Sequence, residues 1–244
     1  MDDLELCEDC ALAAWPGIEE TRMGQWLVRR AGGYTHRANS ANALVAGADL
    51  DEAALEAIEA RYRAAGLPAV VRLTPLAAPD LDDRLAARGY QDGKPSQGML
   101  APTAAARPDP AVRFEPELSA DWLARYAAAN PRRDFLPEAF RAITDRVAAP
   151  KTFVTLNEGG ADVGFGMAVA SRGLVVLQAI AVDPAARGRG LGARLVESLM
   201  AWGRAQGAGR ALLHVEAANP IAQRLYGGRG FERIFLYHYR EKPL

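Results

Sequence analysis

The segment Asp183-Pro184-Ala185-Ala186-Arg187-Gly188-Arg189-Gly190-Leu191-Gly192-Ala193-Arg194 constrains this chain more than any other. An apolar run, Leu174 to Val182, precedes it, and an amphipathic stretch, Leu195 to Gln206, follows. That order predicts a strand, a glycine-rich turn and a helix. Glycines at alternate positions let the main chain approach a ligand closely and turn several N–H groups inward. The helix that begins there adds unpaired amides and the positive end of its dipole, so the turn suits a pyrophosphate. Arg187 and Arg189 add charge that pairs with phosphate. A P-loop is excluded because no Gly-Lys-Ser/Thr follows the glycines. The Gly188-x-Gly190-x-Gly192 spacing also departs from the Gly-x-Gly-x-x-Gly of dinucleotide-binding folds. On this segment alone, an ordinary glycine-rich βα turn is the lesser alternative.

The residues downstream add a second pattern. Arg210 to Glu216 reads as a short strand, and Asn219-Pro220 caps and opens a helix with Pro at its first position. That helix carries Tyr226 before Gly227-Gly228-Arg229-Gly230-Phe231. Through Arg187-x-x-Gly190-x-Gly192 followed by Asn219-x-x-Ala222-x-x-Leu225-Tyr226-x-x-x-Gly230-Phe231, the chain resembles the GNAT superfamily of acyl-CoA-dependent N-acyltransferases, over roughly residues 112 to 244. The resemblance implies an α+β fold around a mixed sheet. It also implies acetyl-CoA as co-substrate, no metal, and direct attack by a primary amine in a ternary complex.

Site roles follow from the same resemblance. The amides of Arg187, Gly188, Arg189, Gly190, Leu191, Gly192 and Ala193 are expected to hold the diphosphate. Ile180, Ala181 and Val182 lie on the strand that splays from its neighbour and meets the pantetheine arm. Asn219 is a partner of that arm, a helix cap, or both. Tyr226 is expected beside the departing sulfur as general acid, although a lone Tyr on an apolar helix face is ordinarily core. The amine must shed a proton. Glu216 at a strand end is the candidate base, and His214, whose intrinsic pKa suits the task, shares its face of the strand. For both, a structural role weighs at least equally. Gln178 cannot act as a base but can position water.

Composition narrows the classes. The chain has 244 residues and a net charge of −1, so no global field favours nucleic acid or an anionic membrane. No apolar run approaches about 18 residues, which excludes a membrane-spanning helix. Acidic residues crowd the first ten positions, where a secretory leader would be basic, so a cytoplasmic location is expected. Cys7-x-x-Cys10 lacks the further ligands a zinc site needs and reads as two thiols on an N-terminal helix.

A Pro- and Ala-rich stretch over residues 101–111 reads as a linker between parts 1–100 and 112–244. The second part reads β-α-α-β-β-β-α-β-α-β. The first shows strands at Gln25–Ala31 and Ala43–Ala48, a helix at Asp51–Ala65, a strand at Ala69–Leu73, a helix at Leu81–Arg88 and a closing strand around Gly98-Met99-Leu100. This half resembles the degenerate N-terminal half of tandem GNAT proteins, notably through Arg37-Ala38-Asn39-Ser40. It supplies no glycine turn between Val45 and Asp51. Two tandem GNAT-like domains are therefore expected, the first incomplete, packing on the second and walling one side of the acceptor site. A small-molecule amine and a peptide or protein amine are both open as acceptor, as are a monomer and a homodimer. The alternative function is a non-catalytic acyl-CoA-binding or regulatory protein.

Overall fold

The computed structural model describes residues 3–131 and 134–244. In chain order the elements are α1 (Asp3–Ala14), β1 (Glu19–Met23), β2 (Trp26–Arg30), β3 (Ala41–Ala43), α2 (Glu52–Ala64), β4 (Ala69–Leu73), α3 (Leu81–Ala87), β5 (Gln91–Asp92) and β6 (Ser96–Pro102). Then come β7 (Val112–Glu115), α4 (Ala120–Ala129), α5 (Pro137–Asp145), β8 (Lys151–Glu158), β9 (Ala161–Ser171), β10 (Leu174–Val182), α6 (Leu191–Ala205), β11 (Arg210–Glu216), α7 (Pro220–Gly227) and β12 (Glu232–Lys242). The fold is α+β around one mixed sheet, as the resemblance implies. Among the described residues no helix is long and apolar enough to cross a membrane.

The strands run in the order β1-β2-β3-β4-β12-β6-β11-β10-β9-β8-β7, with β5 added alongside β12. Read inward from each side, this order repeats. In the first half β3 pairs parallel with β4, and in the second β10 pairs parallel with β11. The closing strands are then exchanged. β12 pairs antiparallel with β4 of the first half, and β6 pairs antiparallel with β11 of the second. The two closing strands meet each other at the centre. Gly98 of β6 is a residue this seam requires, since a Cβ there would fall 2.4 Å from the ring of Phe235 on β12.

The exchange corrects the expected segmentation. The closing strand around Gly98 exists, yet its partners belong to the other half. Residues 101–111 do not hang free as a linker. Ala101 and Pro102 complete β6, the Thr103 hydroxyl donates to the Ala208 carbonyl at 2.6 Å, and Asp109 accepts from Arg194 Nε of α6 at 2.6 Å. Alanines and prolines that read as linker composition are small enough to lie flat along α6. The strand expected over Ala43–Ala48 is also displaced. β3 ends at Ala43, and Gly47 at φ 73° turns the chain so that Ala48 bridges Ala77. β1 had no counterpart among the expected strands.

Three apolar layers result. One packs α1, α4 and α5 on one face of the second half's sheet, with Trp122, Phe140 and Phe153 at its centre. A second packs α6 on the opposite face through Leu195 and Leu199. The third is the first half's own core, around Ile58, Tyr62 and Leu85. Cys7 and Cys10 lie on α1 within the first layer, where burial pushes the Cys7 thiol up to about 12. They serve as small core residues.

Candidate functional site

The strand before the glycine turn carries an irregularity that sets the site. β10 pairs with β9 in register as far as Gln178 and resumes at Ala181, so Ala179 and Ile180 form a bulge. Ala179 adopts φ 50°, a left-handed conformation that costs a residue with a side chain about 1–2 kcal/mol. On its other edge, β10 pairs with β11 only over Leu174–Val176 and then parts from it. Strands that part leave main-chain groups without ladder partners, and the opening between them becomes a cavity.

That cavity has a volume of about 490 Å³. Ile180 in the bulge, Glu216 at the end of β11, Asn219, Ala222 and Tyr226 line its second-half side. Tyr226 packs edge-on against Phe231 at 5.8 Å, its hydroxyl makes no hydrogen bond among the described residues, and burial raises its pKa to about 12. The Asn219 side chain accepts from Ala222 N at 3.0 Å, so it caps α7. Glu216 is half-exposed at the rim, with Oε1 3.7 Å from Lys94 Nζ. Ala181 and Val182 resume pairing with β9 outside the cavity lining, and the Val182 carbonyl accepts from Arg187 Nε at 3.0 Å.

Beyond the cavity, the glycine turn opens α6. Gly188 and Gly190 adopt φ 77° and 76°, and a Cβ at either would meet nothing within 4 Å. The conformation thus demands glycine while the space in front of the loop stays open. Gly190 caps α6 without a side-chain acceptor, and the N–H groups of Gly188, Arg189, Gly190, Leu191 and Gly192 find no acceptor among the described residues. The first amide with a helical partner is that of Ala193, which donates to the Gly190 carbonyl at 3.0 Å. Five open amides at a helix N-terminus form an anion cradle. Glu158 stands nearby, its charge met by Arg189 at 3.1 Å and Arg194 at 2.6 Å. The cradle and cavity are coupled through α7: Leu225 Cδ2 lies 3.2 Å from where a Gly192 Cβ would be, and the neighbouring Tyr226 faces the cavity.

The other wall comes from the first half and from α4 and α5, and the sequence motifs gave no sign of most of it. Trp15, Gly33, Tyr34, Thr35, His36 and Arg37 supply one side. Tyr126, Phe135 and Phe140 close the other, joined to Trp15 and Tyr34 by edge-on ring contacts of 5.3 to 5.9 Å. Asn39 builds the first of these walls. Its Oδ1 accepts from Ala31 N at 2.7 Å and Gly33 N at 3.0 Å, and its Nδ2 donates to the carbonyls of Tyr34 and Thr35. The available signal was Arg37-Ala38-Asn39-Ser40, read there only as a likeness. Beneath it, buried Arg29 donates to the carbonyls of Leu12, Trp15 and Arg37 and to Glu20, fixing α1 against this loop.

Two further polar residues line the cavity. Gln178 is held at both ends of its amide: Oε1 accepts from Arg37 Nη1 at 3.0 Å, and Nε2 donates to the Ala14 carbonyl at 2.7 Å. His214 lines the cavity but is 5% exposed, with Nε2 unpartnered and 3.9 Å from Glu8. Desolvation, then the charges of Arg72 and Arg37, hold its pKa well below 6.5, so the ring is neutral. Glu8 itself forms a buried double hydrogen bond with Arg72 of β4, whose guanidinium lies 4.1 Å from the Tyr237 ring centroid.

Comparison with known proteins gives a consistent picture. The family model described as probable histone acetyltransferase Rv0428c C-terminal matches residues 3–240. The uncharacterized N-acetyltransferase YobR of Bacillus subtilis is 32% identical over 99% of this chain and 100% of its own. The mycothiol acetyltransferase of Thermobispora bispora is 29% identical over 66% of this chain and 50% of its own length. Among solved structures, a GCN5-related N-acetyltransferase from Kribbella flavida superposes with a TM-score of 0.70 at 18% identity, over 99% of this chain and 95% of that one. A tandem GNAT protein from the clavulanic acid biosynthesis pathway reaches 0.61 at 12% identity, over 96% and 86%.

Proposed function

Because the chain belongs to the Rv0428c C-terminal acetyltransferase family, within the GNAT fold, we propose that it moves an acetyl group from acetyl-CoA to a primary amine by direct attack in a ternary complex. The observation that supports this most is the open amide cradle at Gly188–Gly192, set next to a cavity formed where β10 parts from β11. A diphosphate fits the cradle, whose amides lack acceptors and whose glycines leave the approach clear. Acetyl-CoA supplies an acetyl group already activated as a thioester.

The chain's own residues then divide the work. The loop amides and Arg187 hold the diphosphate end. The bulge at Ala179-Ile180 presents main-chain amides toward the acyl carbonyl, where a fixed donor stabilises developing negative charge. Asn219 keeps α7 in place through its cap, and α7 carries Tyr226. With a pKa near 12, Tyr226 stays protonated across the working range. Complete transfer to a thiolate of ordinary pKa, about 8.5, is uphill. Tyr226 therefore acts by donating a hydrogen bond to the sulfur as charge builds there. Glu216 at the rim takes the proton of the amine, directly or through water. The first half binds no acyl-CoA in this reading, and its contribution is the opposite wall of the cavity.

Incubating the purified protein with acetyl-CoA and a broad panel of amines, while following thiol release, tests the assignment. Amine-dependent thiol release with recovery of the acetylated amine is expected. Bound acetyl-CoA with no transfer to any amine would overturn it.

A further inference from the structure

Among the described cationic side chains that line the cavity, Arg37 stands apart. Lys94 meets Glu216 at 3.7 Å, and His36 Nε2 meets Glu241 at 3.0 Å. Arg37 has no carboxylate partner among the described residues. Its guanidinium gives one hydrogen bond to Gln178 and lies 5.2 Å from the Trp15 ring centroid. It is half-buried, and its main-chain carbonyl is tied down by Arg29. A guanidinium carries five donors in a planar fork matched to a carboxylate, so this one retains capacity for a ligand.

The surroundings make it a built site rather than a stray surface cation. Gln178, its anchor, is 4% exposed and is itself held by Ala14. Gln178 also immediately precedes the bulge, at roughly 3.3 Å of chain per residue, so an anion on Arg37 lies close to the acyl-transfer point. Trp15, Tyr34, Phe135 and Phe140 flank it with an apolar wall.

We propose that the acceptor is a free amino acid, whose carboxylate pairs with Arg37 while the aromatic wall takes an apolar side chain and the amine faces the bulge at Ile180. This rests on the acetyl-transfer reading above and narrows it: a lysine side chain or the N-terminus of a protein brings no carboxylate to this place, and a polyamine brings only more positive charge. The transfer forms the amide C–N bond and breaks the thioester C–S bond; the amine proton leaves to Glu216, and the coenzyme departs as a thiolate that Tyr226 hydrogen-bonds and that takes its proton from water.

The test uses matched acceptors: free amino acids with aromatic and aliphatic side chains, their primary amides, and the corresponding decarboxylated amines. Thiol release is measured with wild type, Arg37→Gln and Arg37→Lys. At least one free amino acid is expected to be acetylated, with kcat/KM about 10- to 100-fold above its amide and its decarboxylated amine, the usual range for a charge-assisted pair. Arg37→Gln should reduce that ratio to within about threefold, Arg37→Lys should keep part of it, and the KM for acetyl-CoA should move by less than about twofold. A purely structural Arg37 would lower all three acceptor classes together and leave the ratio intact, which would overturn the proposal. The wild-type comparison stands even where a variant fails to fold. Acetylation of amines without regard to a carboxylate, or of no free amino acid at all, overturns the inference and leaves acetyl transfer standing. Absence of both acetyl-CoA binding and turnover would remove the underlying reading as well.

Discussion

The two halves carry the same strand–helix unit and close its helix in opposite ways. In the second half α6 begins at Gly190 with no side-chain cap and with five amides open. In the first half α2 begins after Asp51, whose carboxylate accepts from Ala54 N at 2.8 Å, with Asp49 accepting from Leu50 N at 2.7 Å. The chain before α2 is occupied too: Ala48 N donates to the Leu76 carbonyl, and Ala78 N donates to that of Ala48. One helix N-terminus is met by the protein's own carboxylate, whereas the amides of the other find no acceptor among the described residues. The strands differ in step, since β3 has three residues against nine in β10.

Making the open turn resemble the closed one is the strongest challenge to this contrast. Gly190→Asp places a carboxylate at the cradle and a side chain at φ 76°. Acetyl-CoA affinity should fall about 10- to 100-fold from lost charge-assisted contacts of about 1.5–3 kcal/mol, while left-handed strain of about 1–2 kcal/mol lowers the stability of the fold. Isothermal titration reads this directly, and wild-type affinity would break the loop assignment.

Asn39→Ala attacks the first half's structural role. It removes four hydrogen bonds and leaves the buried Ala31 amide without its acceptor, so about 1–3 kcal/mol of stability should be lost. Denaturant unfolding measures that loss. The acceptor KM should rise more than that of acetyl-CoA, because the wall it holds faces the acceptor. Equal effects on both substrates would blur the division of labour.

Tyr226→Phe probes the chemistry alone: kcat should drop about 10- to 100-fold with little change in the KM for acetyl-CoA. With its pKa raised to about 12, Tyr226 should give no alkaline limb in the rate profile below about pH 11. An unchanged kcat would remove Tyr226 from the acid role.

His214 reports on the seam where β11 meets the exchanged β6. Its folded pKa is depressed and its unfolded value is about 6.5, so below pH 6.5 the unfolded chain binds a proton that the folded chain refuses. This group therefore makes no difference above about pH 6.5 and weakens the fold progressively below it. The slope is at most about 1.4 kcal/mol per pH unit. Comparing chemical denaturation at pH 5 and 7 for wild type and His214→Leu checks the sign. The smallest effect belongs to Asp51→Ala, which should cost about 1 kcal/mol of stability and leave acetyl-CoA binding untouched.

Much of this was readable in the residues where local physics decides. β10 and β11 begin and end where the sequence places them, and Asp51 and Asn219 cap their helices as their side chains dictate. β1, Glu-Glu-Thr-Arg-Met, is an exposed strand with no apolar alternation to mark it. The partners of β6 were hidden because strand propensity is local, while pairing across the seam depends on the whole sheet. The bulge at Ala179 left no composition signal, and Arg37 and Gln178 stand 141 positions apart. The glycine turn is local and could be read, whereas the opposite wall of the cavity is assembled from distant segments and could not.

The crystal structure of the protein with coenzyme A tests the contrast between the halves most directly. The account predicts one coenzyme per chain, its diphosphate on the main-chain nitrogens of residues 188–192 and its thiol end beside Tyr226. A second coenzyme at the start of α2, or phosphates anywhere other than the α6 turn, would contradict it.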